Sequence, residues 1–332
     1  MQQIQTPQRG ALLVNIGTPD GYGTSDVKRY LGEFLMDERV ISLPYFWRAL
    51  LVKGIILPFR SPRSAAAYKR IWSAEGSPMM VMMDRVARQL RENCRIPVGM
   101  GMRYGNPSIE NAIEDLRSRG VREILLLPMY PHYTQSTYES ALVEFSRILN
   151  TYEDMDYDLI NPFYNHPDYL SALVQTISLS DAYREADHLL FSFHGVPVSH
   201  IRKQAGMPTD YRMECLDTAR MSAERLGLEE EQWSVSFQSR MGKGEWTRPY
   251  TTDILTSLAR KGIRKIAVVT PSFTVDCLEN LEEIAMAGRE LFLSHGGEEL
   301  YLIPCLNDHS AWIENLSRWI NAWEGSPQPE YR

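Results

Sequence analysis

A chain of 332 residues, 44% hydrophobic and 23% charged and without a low-complexity tract, can build two globular domains of about 150 residues each. Its formal net charge of −7 repels phosphate backbones and argues against nucleic acid as a partner. Four dispersed cysteines (Cys94, Cys215, Cys277, Cys305) contain no Cys-x-x-Cys pair, which argues against a zinc ribbon or a local iron–sulfur cradle.

The first ten residues hold no apolar core of a secretion signal, so the expectation is a cytoplasmic protein with reduced thiols. Ala11 to Ile16 reads as a strand closed by Gly17-Thr-Pro19, and Ser25 is placed as the cap of a helix carrying Val27, Tyr30, Leu31 and Phe34 at helical spacing. Residues 40–59 are the most hydrophobic stretch. Pro44, Arg48 and Lys53 interrupt it, and about 20 nearly uncharged residues would be needed to cross a bilayer. It reads either as a core helix or as an exposed apolar lip touching a membrane surface or an apolar ligand, with Arg60, Arg63, Lys69 and Arg70 following. That order, apolar then cationic, suits a flat greasy ligand bearing carboxylates. Met79, Met80, Met82 and Met83 read as adaptable packing.

A strand over Val98–Met102 ends at Arg103-Tyr104-Gly105, and a helix over Ile109–Arg119 leads to a strand at Glu123–Leu127. The block beginning Gly120-Val-Arg-Glu-Ile-Leu recurs as Gly262-Ile-Arg-Lys-Ile-Ala, 142 residues later, and Ile16-Gly-Thr-Pro19 echoes His194-Gly-Val-Pro197. Two related βαβ domains, each a parallel sheet flanked by helices with right-handed crossovers and a cleft between them, account for this repetition. Asn-Pro and His-Pro punctuation places the division within Asn161–Pro167. The expected organisation is a first domain over 1–163, with its lip at about 40–60, a second over 164–324, and a frayed tail over 325–332. In the second domain, Trp312, Leu316, Trp319, Ile320 and Trp323 form an apolar stripe on a terminal helix from near Ser310, expected to clamp the halves together.

Chemistry concentrates at two strand ends. The run His188–His194 delivers an imidazole, and Ile266–Thr270 leads into a segment carrying Asp276, Glu279 and Glu283 at i, i+3 and i+7, one face of a helix. In open parallel sheets the carboxyl ends of strands line the ligand crevice. An imidazole and a carboxylate there could bind a metal, move protons, or do both. The acidic face alone also suits plain solvation.

Seven blocks in order now carry a resemblance: Leu13-Val-Asn-Ile-Gly-Thr-Pro19, Gly76-Ser-Pro78, Met102-Arg-Tyr-Gly105, Pro128-Met-Tyr-Pro-His-Tyr133, Ser192-Phe-His-Gly-Val-Pro197, Phe237-Gln-Ser-Arg240 and Asp276-Cys-Leu-Glu279. From about Gly10 to about Trp323 the chain resembles the ferrochelatases, enzymes inserting ferrous iron into a porphyrin at the end of haem synthesis. The resemblance implies two Rossmann-like, chelatase-like domains around a porphyrin cleft, with Fe²⁺ and protoporphyrin IX as substrates and no tightly bound cofactor. It places His194 and Glu279 as the catalytic and metal-handling pair, their division of proton and metal roles left open. Asp276 and Glu283 become a proton or metal path. Arg60, Arg63 and Ser77 fall near the propionates, and Tyr104 and Trp246 fall around the cleft. His132 stays outside the metal set, because that place in the family is usually not histidine.

Cys277 stands where animal forms have histidine, and neither a cysteine-rich extension carrying a [2Fe–2S] cluster nor an organelle-targeting leader is found. The resemblance therefore implies a bacterial, cluster-free form, cytoplasmic with a peripheral membrane contact left open. A coproporphyrin III ferrochelatase and a non-catalytic porphyrin or haem carrier are the alternatives. A cobalt chelatase fits less well, since histidine clusters are not found.

Overall fold

The computed structural model of the protein describes residues 8–203, 210–242 and 244–325. Of the segment read as a frayed tail, 326–332 lies outside them, as do residues 1–7 of the expected first domain.

Eight strands are present among the described residues: β1 Gln8–Asn15, β2 Val98–Met102, β3 Val121–Pro128, β4 Asp156–Leu159, β5 His188–His194, β6 Trp233–Gln238, β7 Lys265–Val269 and β8 Glu299–Leu302. They form two four-stranded sheets, ordered β2-β1-β3-β4 and β6-β5-β7-β8, with every pairing parallel. Counted from its own first strand, each half reads 2-1-3-4. The repeat at Gly120 and Gly262 is thus a repeat of topology. β1 corresponds to β5, and β3 to β7. Helices cover both faces, which is why the central strands are continuous apolar runs: Ala11 to Val14 and Leu190 to Phe191 are fully buried.

One apolar cluster runs through both halves, from Leu13 and Val98 under the first sheet to Phe191, Val269 and Trp312 under the second. The helix Ser310–Glu324 buries Trp312, Ile313, Leu316 and Ile320 and packs against the helices Pro78–Asn93 and Pro167–Leu179. Its polar edge is tied down as well. Arg9 donates to the carbonyls of Trp323 and Glu324 at 2.8 and 2.9 Å, and the indoles of Trp319 and Trp323 donate to Asp168 and Asp158. The last helix therefore touches β1, the β4 strand and the helix that follows it.

Two expectations change in detail. The helix near Ser25 spans Thr24–Leu35 with Gly23 as its cap, because the Gly23 carbonyl already accepts the Val27 amide; Ser25 lies in the first turn. The hydrophobic stretch is not a core helix. It forms a helix over Tyr45–Leu51, a π-helical turn over Val52–Ile56 and a helix over Leu57–Ile71, with Phe46, Trp47 and Phe59 68%, 59% and 71% exposed. The interrupting Arg48 turns inward and donates to the carbonyls of Ile41 and Leu43, leaving the lip apolar outside. No described helix is long and apolar enough to cross a membrane.

Candidate active site

A cavity of about 780 Å³ lies at the carboxyl ends of both sheets, within the ~300–1,000 Å³ of small-molecule sites. β1, β3, β5, β6 and β7 all deliver residues to it through the segments that follow them, as the strand-end rule for parallel sheets requires.

His194 is the last residue of β5 and lines this cavity. Its Nδ1 is 2.7 Å from the Gly195 carbonyl. A carbonyl only accepts, so Nδ1 is the donor in this contact, which leaves Nε2 as the ring nitrogen without a part in it. The backbone behind it is pinned. The Tyr211 hydroxyl donates to the His194 carbonyl at 2.6 Å, and the His194 amide donates to Ser272 Oγ at 3.2 Å. Glycine follows for a steric reason: a Cβ on Gly195 would sit 2.6 Å from the Gln238 carbonyl of the neighbouring strand.

Glu279 sits in the short helix Leu278–Leu281, and Glu283 opens the π-helical turn Glu283–Gly288; both line the cavity. Gln238 orients the first, accepting from Ser192 Oγ at 2.7 Å and donating to the Glu279 carbonyl at 2.8 Å. Ser239 holds the second, donating its amide at 2.7 Å and its hydroxyl at 2.5 Å to the two Glu283 oxygens. To do so Ser239 adopts a left-handed φ of 65°, a conformation costly for a residue with a side chain. Burial raises the Glu283 pKa above the ordinary carboxylate value. The Ser239 bonds and the nearby His194 pull it back, and the charge of Glu279 raises it further.

The three acids do not share a helix face. Asp276 precedes the helix, and its carboxylate accepts from Asn280 Nδ2 (2.9 Å), the Cys305 amide (3.0 Å) and Asn307 Nδ2 (2.8 Å). It is not among the cavity residues, and its oxygens are taken up by the loop. Arg60, Arg63 and Ser77 do line the cavity. Arg60 Nη1 reaches Met241 Sδ at 2.5 Å, a weak acceptor that a carboxylate can replace, and Ser77 Oγ pairs with Thr18 Oγ1 at 2.8 Å.

Tyr104 and Trp246, expected around the cleft, line no part of this cavity. Tyr104 is buried beside it, donating to Asp37 at 2.9 Å with the Arg103 guanidinium 4.4 Å from its ring centre. Trp246 is buried behind Gly195, its backbone bridged to Pro197. The aromatic residues that do line the cavity include Tyr30, Phe34 and Tyr68. Tyr68 follows Arg60 and Arg63 at helical spacing, a signal that could have found it. Burial raises the Tyr68 pKa strongly, and Glu279 adds to this.

Glu282 also lines the cavity without having been expected there, and so does His132, which was left out of the metal set but whose place after a strand allows it to face the cleft. His132 Nε2 is 3.0 Å from Thr218 Oγ1, and burial lowers its pKa to about 3, so this ring stays neutral. Among the described residues no group of three or more His, Cys, Asp or Glu is placed to hold a metal ion.

The ferrochelatase family model matches residues 8–323. A ferrochelatase of Pseudomonas paraeruginosa is 43% identical over 93% of this chain and 96% of its own length, and one of Bdellovibrio bacteriovorus is 41% identical over 95% and 99%. Among solved structures, SirB from Bacillus subtilis with Fe³⁺ superposes with a TM-score of 0.55 at 12% identity, covering 96% of this chain and 98% of that one. The sirohydrochlorin chelatase SirB of Bacillus subtilis subspecies spizizenii, in complex with cobalt, gives 0.56 at 11%, covering 95% and 96%. At such identities these two matches speak for the fold: two parallel sheets in one chelatase-like body. The matches by sequence go further, and the chain belongs to the ferrochelatase family.

Proposed function

We propose that the chain is a lyase that inserts Fe²⁺ into protoporphyrin IX to give protohaem, the terminal step of haem biosynthesis. The observation that carries this reading is one cavity presenting the His194 imidazole, its Nδ1 bound to the Gly195 carbonyl, together with the carboxylates of Glu279, Glu282 and Glu283 and the guanidinium groups of Arg60, Arg63 and Arg240. Metallation must remove two pyrrole protons, strip water from the ion and expose nitrogen lone pairs that a flat ring keeps in its plane. A cleft that bends the ring lowers that barrier.

In this reading Nε2 of His194 takes a pyrrole proton, and a neutral imidazole is also a fitting ligand for borderline Fe²⁺. Glu279 supplies the harder oxygen donor and part of the neutralising charge. Glu283 accepts protons leaving the site, while Asp276 serves only to hold the loop beneath it. Arg60, Arg63 and Ser77 take the propionates, guanidinium forks suiting carboxylates. We place the division between the two halves near residues 163 and 164, after β4 and before the helix Pro167–Leu179.

The substrate test is anaerobic Fe²⁺ with protoporphyrin IX or coproporphyrin III, followed by loss of porphyrin fluorescence. Faster loss with protoporphyrin is expected, since the apolar lip beside the cavity suits a vinyl edge better than two added carboxylates. Preference for coproporphyrin would replace the substrate, and no turnover with either would leave a carrier.

The lip itself, with Tyr45, Phe46, Trp47 and Leu50 exposed on one helix, supports peripheral contact of this cytoplasmic protein with a membrane surface. Co-sedimentation with lipid vesicles is expected for the parent and reduced for Phe46→Ser with Trp47→Ser; equal sedimentation removes the contact.

A further inference from the structure

Glu282 has no part in the mechanism above, yet it lines the cavity between Glu279 and Glu283. Its side chain, 16% exposed, forms an ion pair with Arg70, near the end of the helix Leu57–Ile71. That helix belongs to the first half of the chain, and the helix Leu278–Leu281 packs against it. The ion pair is therefore a tie between the halves along the edge of the cavity.

The backbone of Glu282 is also where the helix changes pitch. Its carbonyl accepts the Met286 amide at 3.3 Å, an α-type bond, and the Ala287 amide at 3.0 Å, a π-type bond. π-helical turns are rare and short inside helices. Here the two residues at the change are each held from outside, and from opposite sides. Ser239 of the second half grips Glu283, and Arg70 of the first half grips Glu282. Were the second grip released, the junction could shift toward an ordinary α-turn and carry the Glu283 carboxylate with it.

We infer that Arg70 is a positioning residue: its ion pair with Glu282 fixes the α-to-π junction and so sets where the Glu283 carboxylate stands in the cavity. The activity arm of the test rests on the metal-insertion reading; the structural arm does not. Arg70 is 55% exposed, so the tie is modest, and effects of about threefold to tenfold are expected.

Arg70→Met and Glu282→Gln are each expected to lower kcat for iron insertion by about threefold to tenfold with KM for porphyrin unchanged. The double variant is expected to fall no further than either single, and Arg70→Lys to restore the rate. Hydrogen exchange of the 282–288 backbone is expected to quicken about threefold in Arg70→Met and to return to the parent rate in Arg70→Lys. Unchanged exchange in Arg70→Met, or additive losses in the double variant, overturns the inference. A parent without turnover would defeat the functional reading alone, and exchange would still decide the tie. Should Arg70→Met not fold, the near-isosteric Glu282→Gln carries both arms.

Discussion

His194→Ala is expected to slow iron insertion by about 10²–10⁴-fold, the range for losing a positioned acid–base group. Porphyrin binding, read by fluorescence quenching or a shifted absorption band, is expected to persist, because Arg60, Arg63 and Ser77 line the cavity independently of the imidazole. The fold is expected to survive too. The ring's own hydrogen bond runs only to the neighbouring Gly195 carbonyl, a loss of about 1 kcal/mol at most. A rate equal to the parent's, with iron and porphyrin both present, would defeat the assignment of His194.

Glu283→Gln is expected to cost about 10- to 100-fold in turnover with little change in porphyrin affinity, the scale for groups that support a metal or proton site without forming its first contacts. The pH profile separates this from simple damage. A carboxylate accepts a proton only when ionised, and burial raises the pKa of Glu283, so its contribution switches on as pH climbs through that raised value. The parent should therefore show an acidic limb displaced toward neutrality, and the Gln variant should lose it. Gln can still accept the Ser239 amide through its carbonyl oxygen, and the Ser239 hydroxyl can turn to accept from the Gln NH2, which preserves the local frame. Turnover and profile both unchanged would remove Glu283 from the proton path.

How much of this could be read beforehand depended on whether the signal was local. Strand ends were readable, since an apolar run closed by His194-Gly195 or Thr270-Pro271 states its own terminus, and the Gly120 and Gly262 blocks exposed the duplication into two βαβ halves, though not the order of their strands. Which way an aromatic faces was not. Tyr104 looks like a cleft residue until Asp37, 67 positions away, takes its hydroxyl. Asp276 failed for a related reason: helical spacing was counted from a residue outside the helix, whose carboxylate belongs to Asn307 and Cys305 on a distant loop. Glu282 escaped because it needs the π-turn and Arg70, neither written in the local pattern.

The duplicated strand order leaves the two halves unequal in one decisive place. At the spot where β5 ends in His194, the matching tip of β1 leads into Ile16, an aliphatic side chain with nothing to offer a cation. At these equivalent tips the second half therefore supplies an imidazole to the cavity, where the first half supplies an aliphatic contact.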